Sequence, residues 1–123
     1  MKVDADNAIA QAICTSKALW EQSGAATEDG LLSRATASSM THSATEAAIA
    51  LQEAVEVFGP RLLPAQFKCA RECIIDLETL ASLAALVMTH DLKPATTIYL
   101  AHAIRCTAEK SVNNLMRAAW VLP

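Results

Sequence analysis

Apolar residues recur along this chain at every third or fourth position and almost nowhere in the alternation of a strand. That is the spacing of helices that each bury one face. Ile9, Ala12, Ile13, Ser16 and Trp20 trace a weak, small-residued stripe, which predicts a first helix capped by Asp4 or Asp6 and closed by Gly24. Residues 25–39 are rich in Ser and Thr and contain Gly30, so they read either as a loop or as the poorly formed start of a second helix. Ser43 and Glu46 have capping-box spacing, although the stripe continues smoothly through Met40 and Ala44 if the helix begins earlier. From there Ala44, Ala48, Leu51, Val55 and Phe58 make one face, with His42, Glu46, Glu53 and Glu56 opposite, until Gly59-Pro60 stops the helix.

The third helix is the best signalled, from Pro64 to His90, with proline at its first position, where no needed hydrogen bond is lost. Its stripe is Phe67, Ala70, Ile74, Leu77, Ala81, Ala84 and Met88, with Cys73 and Leu80 beside it and Cys69 at its margin. A short break before Pro94 leads into a fourth helix running to about Trp120, with Ile98, Ala101, Ile104, Ala108, Val112, Leu115 and Ala119 inward. Four helices joined by short connections predict an all-α, antiparallel up-and-down four-helix bundle, with residues 1–123 as a single domain.

Composition sharpens this picture. Hydrophobic residues are 53% of the chain and aromatics only 4%, so the core is expected to be Ala-rich, with helix axes near the lower end of the usual range of about 8 to 10 Å. A net charge of -3 without a run of like charges gives no electrostatic footprint for nucleic acid or an anionic membrane. No apolar run approaches membrane-spanning length and the first residues lack the pattern of a secretory peptide, so a cytosolic protein is expected. In that reducing compartment Cys14, Cys69, Cys73 and Cys106 are expected as reduced, mostly buried thiols.

The second half of the third helix is apolar nearly all round, because Leu83 and Leu86 fall outside its stripe. Such a helix is either central or covered by another subunit. Together with Val87, and with Trp120 on the outward side of helix four near Tyr99, these residues predict a non-enzymatic protein that acts through protein contact and self-associates into a homo-oligomer.

Candidate chemistry is sparse. Cys69 and Cys73 stand one turn apart, so both sulfurs can project from one side of the helix and hold a soft ion such as Cu(I) with a Met or a third thiol; buried packing is the competing reading. The stretch CARECIIDLETLASLAALVMTHDLKPATTIYLAHAIRC resembles the central helix pair of the cysteine-rich four-helix bundles that store copper. That resemblance implies Cu(I) on thiolates and carries over Cys69, Cys73 and Cys106, while Leu77, Leu80, Tyr99 and His102 stand where further thiols are expected. On a helical wheel His102 and Cys106 lie away from the fourth helix's apolar stripe, so the three sulfurs are not expected to converge.

Ala101-His102-Ala103-Ile104-Arg105 is similar to the motif of histidine-containing phosphotransfer domains, which implies His102 as phosphoacceptor and Arg105 as the neutralising base, with Cys106 in place of the usual glycine. His42 and Glu46 form an exposed helix pair or a ligand pair, and His90 beside Asp91 marks a helix end. There is no Gly-rich phosphate loop, nucleophile elbow or E-x-x-H pair in the sequence.

Overall fold

The computed structural model describes residues 5–29 and 32–117. Within them lie four helices: α1 (Ala5–Asp29), α2 (Arg34–Phe58), α3 (Pro64–Thr89) and α4 (Pro94–Arg117). A 3-10 turn, Gly59–Arg61, joins α2 to α3, and no strand occurs among the described residues. Each helix packs on its neighbours in chain order, and α1 closes the ring against α4. Cross-bundle pairs fix the directions. Ser16 of α1 meets Ser111 of α4 while Trp20, further along α1, meets Arg105, so advancing on one helix retreats on the other. Cys73 and Asp76 of α3 meet Ser111 and Lys110 of α4 in the same antiparallel sense. The molecule is an antiparallel up-and-down four-helix bundle, as the stripes predict.

The boundaries differ from the sequence expectation at two places. α1 does not end at Gly24 but runs on to Asp29. Gly24 is inside the helix because a Cβ there would sit 3.3 Å from the Arg105 guanidinium. The glycine makes room for a neighbour rather than capping an end. α2 begins at Arg34, not at Ser43: Ser33 is the N-cap, and its Oγ accepts from the Thr36 N–H at 3.1 Å. Leu32 and Ala37 flank that cap and are both buried in the core, the arrangement of a hydrophobic staple. Thr41 and Thr45, just beyond the Ser/Thr-rich stretch, donate to the carbonyls one turn back, at 2.8 and 2.7 Å. Their hydroxyls are thereby satisfied without leaving the helix. Residues 25–29 thus belong to α1 and residues 34–42 to α2.

Most predicted stripe residues are inward, with two exceptions that show how each helix is rotated. In α1 Leu19 and Ser23 are buried and Trp20 is 36% exposed. In α3 Cys73, Leu80 and Val87 are buried and Phe67 lies at the surface, so the inward face is centred nearer Cys73 and Leu80 than the predicted line. The core is built on Ala, with Leu19, Met40, Leu51, Leu77, Leu80 and Ile104 as its large, fully buried members. No helix among the described residues is long and apolar enough to cross a membrane.

Candidate functional site

The thiols are the ligands on which a soft-metal site would have to be built. All four are free thiols, but only Cys73 is buried; Cys69 is half-buried, and Cys14 and Cys106 are exposed, which corrects the expectation of mostly buried thiols. Cys73 Sγ donates to the Ser111 carbonyl at 3.7 Å. Burial, then the nearby Asp76 charge, pushes its pKa up to about 12, which disfavours the thiolate that a soft metal needs. Cys69, Cys73 and Cys106 do not come together: among the described residues no three His, Cys, Asp or Glu side chains form a group able to hold a metal ion.

Cys73 instead belongs to a polar seam between α1, α3 and α4. Ser16 and Ser111 share a buried hydrogen bond of 3.0 Å. One turn from Cys73, Asp76 is only 5% exposed and takes Lys110 Nζ on Oδ1 at 3.4 Å. Its Oδ2 has no hydrogen-bond partner, nor has the nearby buried Asn114 Nδ2. Burial raises the Asp76 pKa, opposed first by Lys110 and then by the Asn114 amide. The seam was readable in part: Asp76 stands with Cys73 and Leu80 at core spacing, which marks a carboxylate on an inward face. What the seam offers chemically is modest, since the thiol is held protonated and one carboxylate oxygen is already neutralised by an ammonium.

The histidines lie outside. His102 is exposed on α4, while Arg105 leans away onto α1, its guanidinium 4.4 Å from the centre of the Trp20 ring. A cation held over that ring is aimed at α1 rather than at a phosphoryl group on His102. His42 and Glu46 form an exposed pair at 3.1 Å, one turn apart, of the kind worth about 0.2 to 0.5 kcal/mol. His90 occupies the C-cap of α3, its N–H on the Leu86 carbonyl at 3.2 Å. Asp91 turns outward to pair with Arg34 at the start of α2.

The predicted contact residues separate. Val87 is buried and Leu83 packs half-buried against the core, so both are taken up by the bundle itself. Leu86 is 43% exposed, and Trp120 lies outside the described residues. The structure adds residues that the wheel missed. Ile75, 57% exposed, shares the outward line of α3 with Leu86, about three turns away. Leu63 at the N-cap of α3, Phe67 on its first turn, and Ile49 and Val57 on α2 are also exposed, whereas α1 offers Trp20 and α4 offers Tyr99 and Met116. Among the described residues, exposed large apolar side chains therefore concentrate on α2 and α3. Between these helices runs a groove of about 220 Å³, lined by Gln52, Val55, Glu56, Arg71, Ile74 and Glu78. A second groove, about 280 Å³, lies between α1 and α4 beside Trp20, Lys17 and Glu109.

Comparison of the chain with protein-family models, with curated proteins and with solved structures found no match.

Proposed function

We propose that this protein is a small non-enzymatic bundle that acts through protein contact and associates with itself, using the outer face of α2 and α3. The observation that carries this reading is the concentration of exposed large apolar side chains on two helices, Ile75, Leu86, Leu63 and Phe67 on α3 and Ile49 and Val57 on α2. Exposed apolar side chains gathered on the two helices of an otherwise satisfied bundle are what a surface covered by a partner leaves in the free chain. Arg71 and Glu78 flank the groove on that face and supply the charged rim that such contacts use. The exposed free thiols of Cys14 and Cys106 fit a reducing compartment, the cytosol.

Sedimentation velocity at micromolar protein tests the proposal. The wild type is expected to sediment as a dimer or larger species, and Ile75→Asp with Leu86→Asp to sediment as a folded monomer. A wild type that stays monomeric throughout, or a doubly substituted chain that associates as well as the wild type, removes the reading.

A further inference from the structure

We infer that the partner of this face is a second copy of the chain, with the two α3 helices antiparallel about a two-fold axis that passes between Ile74 and Ile75. The inference rests on the contact reading above and adds the orientation and the register of the two copies. The outward line of α3 is formed by Lys68, Arg71, Ile75, Thr79, Ser82 and Leu86, all exposed. Arg71 and Glu78 are equidistant from the proposed axis, and neither forms an ion pair with another described residue. At 3.6 residues per turn they lie about 40° and about 60° to the same side of Ile75, the side of the groove that both line with α2.

A two-fold axis across a helix brings residues of the same flank together. Arg71 therefore meets the partner's Glu78, and by symmetry Glu78 meets the partner's Arg71. One further pair obeys the same register. Phe67 and Ser82 are equidistant from the axis on that flank, so a large ring faces a small side chain. A parallel arrangement in register would instead put the two Arg71 side chains, and the two Glu78 side chains, on opposite flanks of the contact, where neither meets an opposite charge. The charge pattern is self-complementary in one direction only, which selects a second copy over an unrelated partner.

Charge reversal tests the register. Sedimentation equilibrium at low salt is measured for the wild type, for Arg71→Glu, for Glu78→Arg, and for an equimolar mixture of the two variants. Both residues are exposed, and circular dichroism verifies that each variant keeps its helices. The wild type is expected to dimerise, and each variant alone to dissociate about tenfold more readily, because like charges then face each other twice. The mixture is expected to return to within about threefold of the wild-type constant, since every pair is again opposite in sign. If the wild type associates but the single variants are not weakened, or the mixture is not restored, the register is wrong while the contact reading stands. A wild type that remains monomeric overturns both.

Discussion

Gly24, Arg105 and Trp20 make one local device. The glycine leaves space on α1, the arginine of α4 fills it, and its guanidinium lies 4.4 Å from the centre of the indole. Replacing an interior helical glycine by alanine ordinarily stabilises a helix by about 1 kcal/mol. Here the new Cβ would meet Arg105 at 3.3 Å, so part of that gain goes into displacing the guanidinium from Trp20. Gly24→Ala is therefore expected to stabilise more in an Arg105→Ala background than in the wild type. Urea unfolding of the four proteins of the cycle measures it, and additive effects would show that the contact has no energetic weight.

Asp76 is the other residue whose environment predicts behaviour. Its raised pKa means that the folded state holds a proton which the unfolded chain has already released, so stability falls as pH rises from the ordinary carboxylate range through the folded pKa. Asp76→Asn removes that component. The stability difference between variant and wild type is expected to move in the variant's favour across this window and then level off. A difference that stays flat with pH would mean that the carboxyl titrates normally.

At the scale of elements, the start of α2 shows what local sequence does and does not decide. Ser33→Ala removes the hydroxyl that accepts from Thr36 N–H and is expected to cost about 1 kcal/mol. Ser43→Ala, inside the same helix, is expected to cost almost nothing. Chemical denaturation separates the two, and a larger loss at Ser43 would contradict the cap assignment. Only Ser43 carries the capping-box spacing S-x-x-E, whereas Ser33 is followed three residues later by Thr36. The discriminating clue was the staple, because Leu32 precedes Ser33 and is buried with Ala37, whereas His42 precedes Ser43 and is exposed. The starts of α3 and α4 were legible because Pro64 and Pro94 can each occupy a first turn but not a helix interior. The end of α1 was not, since Gly24 owes its place to a side chain from another helix.

The bundle as a whole followed from four stripes and short turns, but the rotation of each helix did not. When Ala occupies many positions, the inward and flanking sides differ little in hydrophobicity, and tertiary packing chooses between them. The choice in α3 turned Cys73, Leu80 and Val87 inward and left Ile75 and Leu86 outside. That choice is why, of the residues expected at a contact surface, Val87 and Leu83 pack into the bundle while Leu86 stays exposed. Cys69, Cys73 and Cys106 were legible as dispersed, because helical geometry alone separates Cys106 from the other two. The polar seam at Asp76 was only half legible: periodicity marks an inward carboxylate, but not that Lys110 would reach it from α4.

The smallness of the interior residues also governs how such a chain can change over time. Where helices meet through Ala12, Ala44, Ala84, Ala101 and Ala108, each fully buried, an added methyl has nowhere to go without pushing a helix axis aside. Substitutions at this waist are confined to exchanges among Ala, Ser, Cys and Gly, or to paired changes in which one residue grows as its neighbour shrinks. Ser16 and Ser111, joined across it by a hydrogen bond, can be exchanged for Ala only together without stranding a hydroxyl. Descendants of this chain would therefore keep a monotonous centre and write their differences on the outward faces, where a change of partner requires no change of fold.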